Sequence, residues 1–201
     1  MTASLCVLGA CDKKDVAPVP PPSRFQAVTK SGAKNARLAK AEKAFCEETF
    51  SKNERPYQTL KERALPFGKT PASKKGLRWI NFWATWCGPC VDEFPLLKNW
   101  ERALKKEGHD FGVEYYSADD DKDALAKFIE SSPLAKDAKL HWLKEGTLAE
   151  SMTSFGIDMN SPIPVHALVD ASDHIRCVRV GAVHEGDFPN VKVLMKAYGK
   201  K

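Results

Sequence analysis

Residues 79–90 read Trp-Ile-Asn-Phe-Trp-Ala-Thr-Trp-Cys-Gly-Pro-Cys, and no other stretch constrains the fold as much. Leu77 to Trp83 is a near-continuous apolar run, which suits a strand buried on both faces of a sheet. It leads into a turn with two cysteines, Cys87 and Cys90, and Gly88 to Glu107 then carries apolar residues at helical spacing. Cys90, Phe94, Leu97 and Leu104 make the inward stripe, with Trp100 beside them; Pro95 is expected to kink the helix and Gly108 to end it. This order places Cys87 at a helix N-terminus, where free backbone N–H groups and the helix dipole favour a thiolate. Two intervening residues bring the second sulfur within bonding distance, and Cys90, inside the helix, is expected to be buried and less reactive. The pattern predicts thiol–disulfide exchange, in which Cys87 attacks a disulfide and Cys90 resolves the mixed disulfide. The Gly88-Pro89 spacer contains no histidine to stabilise the thiolate further, which favours a reductant over a strong oxidant. Glu93, one helical turn beyond Cys90, is placed to take the proton of the buried thiol.

The elements that follow build a sheet around that unit. Phe111 to Ser117 is a strand, with Phe111, Val113 and Tyr115 on one face. Asp119-Asp-Asp121 caps a helix whose stripe is Leu125, Phe128 and Ile129, stopped at Ser131-Ser-Pro133. Leu140 to Leu143 is a short strand, and Thr147-Leu-Ala-Glu150 has the form of a capping box opening a helix with Leu148, Met152 and Phe155. Two strands, Val165–Asp170 and Ile175–Val180, flank a turn at 171–174, and a last helix spans Phe188–Tyr198. The order β-α-β-α-β-α-β-β-α requires parallel pairing in its crossover units and antiparallel pairing in the closing hairpin, so the fold class is α/β with a mixed sheet flanked by helices. Pro164 stands just before a strand, where an X–Pro bond readily becomes cis. A cis Ile163-Pro164 bond would turn the Ile163 backbone outward beside the cysteines, ready to pair with an extended substrate peptide. Trp86, Gly88 and Pro89 complete the expected substrate-binding surface.

Composition narrows the class. With 43% hydrophobic and 28% charged residues in 201, the chain is long enough for one packed domain plus an extension. The net charge of +5 comes from lysines that alternate with acids, with no basic block interleaved with aromatics, so nucleic-acid binding has no support. The six cysteines contain no second Cys-x-x-Cys pair, which argues against a four-cysteine zinc site, and neither a metal nor a cofactor is expected. The five histidines show no ligand spacing, although His166, two residues after Pro164, lies near the expected site. A Cu(I)-binding thiol protein using the cysteine pair and His166 is the competing class, and a disulfide isomerase or oxidase the competing direction of chemistry.

Ahead of the domain, Leu8-Gly9-Ala10-Cys11 resembles a bacterial lipobox, in which a signal peptide is removed before an acylated cysteine. Residues 1–10 are read as that signal peptide; they are few and carry no positive side chain, so the signal is expected to extend upstream. Residues 11–30, polar and then proline-rich, read as an extended tether from a lipid anchor on Cys11. Residues 31–65 read as a helical extension, with one helix over 33–52 and a second over 58–65, and residues 66–201 as the main domain. Cys46 falls on the apolar side of the first of these helices. It is either a buried inert thiol or half of a structural disulfide with Cys177, pairing that an oxidising compartment would favour.

Asn81-Phe-Trp-Ala-Thr-Trp-Cys-Gly-Pro-Cys90 followed by Glu93-Phe-Pro95 resembles the signature of the thioredoxin superfamily, and within it the TlpA/ResA-type thiol–disulfide oxidoreductases. Ile163-Pro164 matches the superfamily's cis-proline site, and Gly181 its glycine after the last strand. The resemblance covers about residues 66–200. It implies a thioredoxin-like fold, an enzyme without cofactor, protein disulfides such as those of apocytochromes c as substrates, and a membrane thiol reductant as electron donor. It further implies a bacterial envelope location facing the periplasm. Val165-His166 stands where that group commonly has threonines.

Overall fold

The computed structural model describes residues 24–66, 72, 76–136 and 138–199, with the backbone alone for 24–31, 134 and 136. The leader 1–10, Cys11 and the proline-rich run lie outside the described residues. The account below concerns the compact unit Asn35–Lys201.

Seven strands among the described residues, β1 (Glu48–Thr49), β2 (Glu62–Arg63), β3 (Leu77–Trp83), β4 (Phe111–Ser117), β5 (Lys139–Leu143), β6 (Val165–Val169) and β7 (Ile175–Val180), form one sheet in the order β1-β7-β6-β3-β4-β5-β2. Its centre is β3 (Leu77–Trp83), paired in parallel with β4 (Phe111–Ser117) and antiparallel with β6 (Val165–Val169). The parallel strand β5 (Lys139–Leu143) extends one side, and β7 (Ile175–Val180) extends the other as the antiparallel arm of a hairpin with β6. All seven residues of β3 and of β4 are buried, as the near-continuous apolar run of β3 predicts, with Arg78 and Asn81 as its polar members. Trp79 and Trp83 point into a core built with α2 (Gly88–Lys106) and α6 (Phe188–Tyr198), whose Leu97, Trp100, Leu104, Val191 and Leu194 meet them. Ile80 and Phe82 point the other way, to Met152 and Phe155 around α5 (Leu148–Ser154). Phe94 of α2 packs tilted against Tyr115 at 4.6 Å and edge-on to Trp83 at 4.8 Å, which locks the helix over the strand that precedes it.

Strands β3, β4 and β7 and the helix α6 fall where the periodicity predicts, and α2 ends one residue short of Glu107. The differences concentrate at the sheet edges. Helix α1 (Arg24–Phe45) begins inside the expected tether, two residues after the last of the prolines, and it stops at Phe45 instead of running to residue 52. Beyond it, β1 (Glu48–Thr49) pairs with β7, Glu48 opposite Val178 and Thr49 opposite Cys177. The free backbone edge of β7 outcompetes a further helical turn: Glu47 N–H donates to Val178 and Phe50 N–H to Arg176. The helix expected over 58–65 does not form either. β2 (Glu62–Arg63) closes the opposite edge against β5, so the extension supplies both outermost strands. The expected capping box is absent, because the Thr147 hydroxyl donates to the Lys144 carbonyl and Glu150 turns out to pair with Lys61. Between α3 (Lys122–Ser131) and β5 lies a further short helix, α4 (Pro133–Lys136).

Cys46 and Cys177 are joined, with Cα atoms 5.5 Å apart across 131 positions of sequence. The bond ties the end of α1 to β7 beside the β1–β7 ladder. Closing so long a loop removes denatured-state entropy equivalent to about 5 kcal/mol in the chain-entropy account. Replacing both residues by alanine is expected to lower unfolding free energy by about 2–5 kcal/mol, measured by urea unfolding of the variant against the oxidised parent, with the Cys87–Cys90 pair left intact.

Two buried phenols add an alkaline limit. Desolvation, with Glu101 and Glu93 nearby, pushes Tyr115 well above its ordinary range, and desolvation with the neighbouring Tyr57 does the same for Tyr116. Unfolded tyrosines ionise near pH 10 while these stay neutral in the folded state, so folded protein holds more protons above that pH. Their stabilisation is complete below about pH 10 and is then lost at about 1.4 kcal/mol per pH unit for each residue. Burial raises Tyr57 and Tyr198 as well, so urea midpoints from pH 8 to 11 should hold level and then fall, and the fall should be shallower in Tyr116→Phe.

Candidate functional site

The site forms where β3 ends and α2 begins. Cys87 is the N-cap of α2 with extended backbone (φ −91°, ψ 95°), and its side chain makes no capping hydrogen bond, which leaves the sulfur at the positive end of the helix. Cys87 and Cys90 are joined in a disulfide, the oxidised state of the pair. Cys90 is wholly enclosed and Cys87 is only 6% exposed. Around Cys87 the surface is open: Trp86 is 69% exposed, Gly88 and Pro89 are exposed, and a side chain at Gly88 would meet no atom within 4 Å. A partner can thus approach Cys87 but not Cys90.

Ile163-Pro164 is cis, and the Cys87 Sγ lies 3.7 Å from the Ile163 carbonyl oxygen. Phe82 pairs with Val165 across β3 and β6, so the residues just before β6 are carried to the same end of the sheet as the cysteine turn. Pro164 is itself buried, and its carbonyl accepts from the N–H of Gly181, which has the positive φ (94°) that favours glycine.

Glu93 is 4% exposed, so it is not a solvated helix residue. Its Oε1 accepts from Asn81 Nδ2 at 3.0 Å and its Oε2 from the Val183 N–H at 3.0 Å. His166 is also buried behind the cysteines: its Nδ1 accepts from Trp79 Nε1 at 3.1 Å and its Nε2 lies 3.4 Å from Glu93 Oε2. Nδ1 is thus engaged, while Nε2 faces the Glu93 carboxylate without a hydrogen bond. Among the described residues no cluster of three histidine, cysteine or acidic side chains could hold a metal.

One residue of the site was not anticipated. Asp119, expected in a helix cap, leaves that task to Asp121, which accepts from the N–H groups of Asp123 and Ala124. Asp119 is 1% exposed and instead clamps the loop ahead of Cys87. Its carboxylate accepts from Thr85 N–H at 3.0 and 3.1 Å, from Thr85 Oγ1 at 2.6 Å and from Ser117 Oγ at 2.7 Å. Its carbonyl receives Trp142 Nε1 and an Arg63 guanidinium N–H. The sequence signal was present but ambiguous: three consecutive aspartates after a strand do not say which one caps the helix.

A central mixed sheet with a redox cysteine pair at a helix N-terminus beside a cis-proline defines a thioredoxin-like thiol–disulfide oxidoreductase. The sequence profile of the Redoxin family matches residues 69–195, and the chain belongs to that family. No curated protein matches it. Among solved structures, it is similar to a thioredoxin-related protein from Neisseria meningitidis serogroup B, with 24% identity, 67% of this chain and 98% of that one covered, and a TM-score of 0.54. It is also similar to a thiol:disulfide interchange protein from Bacteroides sp. (19% identity, 72% and 88% covered, TM-score 0.53). A thioredoxin family thiol:disulfide interchange protein from Chlorobium tepidum TLS is comparably close (23% identity, 71% and 97% covered, TM-score 0.52). At these identities the likeness concerns the fold.

The clamp on Thr85 has a measurable consequence. Asp119→Ala strips the acceptor from buried donors and frees the loop, which should cost about 1–3 kcal/mol of stability. Reduction of a peptide disulfide should slow by at least about tenfold, since small misplacements of a reacting group are costly. Stopped-flow rates of Cys87 attack in folded variant protein would measure the second effect separately from the first.

Proposed function

We propose that this protein is a TlpA/ResA-like reductant of protein disulfides in the bacterial envelope, with Cys87 as nucleophile and Cys90 as resolving thiol. The observation that carries this reading is the Cys87 sulfur at the α2 N-terminus, reachable from solvent and 3.7 Å from the Ile163 carbonyl ahead of cis-Pro164. In the reduced protein the Cys87 thiolate attacks one sulfur of a substrate disulfide. A Cys87–substrate bond forms, and the substrate's other sulfur leaves as a thiolate. The substrate segment lies extended against Ile163, where main-chain pairing gives affinity without a demand on side chains. Trp86, Gly88 and Pro89 bound the approach. Cys90 then passes its proton to Glu93 and attacks Cys87, which releases the substrate's second thiolate and leaves the Cys87–Cys90 disulfide. Two electrons pass to the substrate, and a membrane thiol reductant restores the dithiol.

Location and target follow from the resemblance and the leader. The lipobox-like Leu8–Cys11 and the proline-rich tether support a lipid anchor on Cys11 and a position facing the periplasm. The extra Cys46–Cys177 bond fits an oxidising compartment. Among the described residues no helix is long and apolar enough to cross a membrane. Apocytochromes c, whose cysteines must be reduced before haem attachment, are the substrates this reading favours.

Trapping tests the reading. Cys90→Ser cannot resolve its mixed disulfide, so envelope proteins should accumulate on Cys87 and be released by dithiothreitol, with apocytochromes c among them. Cys87→Ser should trap none. Recovery of no protein adducts on Cys90→Ser would overturn the proposal.

A further inference from the structure

His166 stands two residues after the cis-proline and is 1% exposed, yet nothing in the exchange chemistry above requires it. Its surroundings define its hydrogen positions. Trp79 Nε1–H can only donate, and it faces His166 Nδ1 at 3.1 Å. Asn81 Nδ2 lies 3.3 Å from the same nitrogen. Nδ1 is therefore an acceptor, and the ring proton sits on Nε2, which points at Glu93 Oε2 across 3.4 Å. The Val183 N–H already donates to that oxygen at 3.0 Å. Glu93 Oε2 thus accepts one hydrogen bond, from the Val183 N–H, and faces the otherwise unpartnered His166 Nε2–H, while Oε1 accepts from Asn81 Nδ2.

We propose that His166 is a positioning residue for proton transfer at Cys90: with its tautomer set by Trp79, its buried Nε2–H faces Glu93 Oε2 across 3.4 Å and directs the thiol proton to Oε1. This rests on the reading of Glu93 as the proton acceptor. In the step concerned, the Cys90 S–H bond breaks, the proton passes to Glu93 Oε1, and the sulfur's electron pair forms the bond to Cys87 while the substrate thiolate leaves. His166 keeps its proton throughout and touches no reacting atom. A threonine at this position could not span from Trp79 to Glu93, so the residue adapts this chain's own acceptor.

Other groups packed around the pair are accounted for. Tyr115 on β4 lies in the field of Glu93 and stays a neutral phenol, pushed upward by burial and by Glu101. Arg179 of β7 is opposite His166 in the ladder, but its guanidinium donates to the Phe45 and Ala182 carbonyls and pairs with Asp187 at 3.4 Å. Trp79 and Asn81 of β3 present only neutral donors to the ring. The one charged partner of His166 among these contacts is Glu93.

The experiment uses the full chain in a Cys6→Ser, Cys11→Ser background, with the Cys87–Cys90 pair reduced stoichiometrically, mixed with an aromatic disulfide reporter. The first release of thiolate reports Cys87 attack and the second reports Cys90 resolution. His166→Leu removes the facing N–H at similar bulk, and the acid limb of the second phase should move to higher pH, because a buried carboxylate with one fewer N–H dipole turned toward it holds its proton more tightly. The first phase should change less than about twofold. His166→Gln, which can still donate, should recover at least half of the shift, and it stands in if His166→Leu does not fold. In Glu93→Gln the second phase should slow and lose its acid limb, and adding His166→Leu should then change it less than about twofold. An unshifted second phase in both His166 variants, with Glu93→Gln slowed, would overturn the positioning role alone. A second phase untouched by Glu93→Gln would overturn the proton-acceptor reading and this inference with it.

Discussion

The pairing of β3 on both of its edges is the constraint on which the rest of the molecule depends. Its parallel partner β4 can be reached only by a crossover, so β3 must be followed by α2, and the junction between them is a helix N-terminus at one end of the sheet. Its antiparallel partner β6 starts at that same end, which delivers the residues before Val165 to the junction. The meeting of Cys87 with Ile163 follows from these two pairings. It comes from backbone hydrogen bonds running the length of a wholly buried strand, and the local turn sequence supplies only the sulfur and the cis-proline that meet there.

Around this junction, two buried carboxylates do different work. Burying a carboxylate is expensive unless donors converge on it. Asp119 is surrounded by Thr85 and Ser117, and these hold the loop that carries Trp86 and Cys87. Glu93 is met by Asn81, Val183 and His166, and stands one helical turn beyond the enclosed Cys90. The two sit on opposite sides of the same problem. In the proposed mechanism a nucleophile has to be approachable and fixed, and a resolving thiol has to be buried yet able to lose its proton. A single helix start can meet the first need through its dipole and a clamped loop. The second requires groups brought from β3, β6 and the segment after β7.

Much of this was legible in the residues, and the reasons differ by element. Strands β3, β4 and β7 and helix α6 follow from apolar periodicity, because each buries one continuous set of side chains. Periodicity carries helix α1 too far at its C-terminal end and does not show β1 or β2, because two-residue edge strands have no periodicity of their own. They form where a neighbouring strand has unpaired backbone to offer, and that is a property of the assembled sheet. Asp119 was read as a cap because local spacing cannot distinguish a helix donor from a loop donor brought up by β3. His166 could be located near the cis-proline but not assigned partners, since Trp79, Asn81 and Glu93 are brought to it by strand pairing and helix packing.

By itself, then, the sequence determined the chemistry available and the order of elements: a cysteine pair with a Gly-Pro spacer at a helix start, a proline poised before a strand, and a β-α-β arrangement that admits few sheets. Those are local properties of spacing, propensity and chain direction. Only the tertiary structure decided between a free Cys46 and one bonded to Cys177, and that Glu93, Asn81, His166 and Trp79 form one hydrogen-bonded set. These contacts join residues as many as 131 positions apart. They exist because the sheet order brings strands from different parts of the chain side by side, which no window of sequence contains.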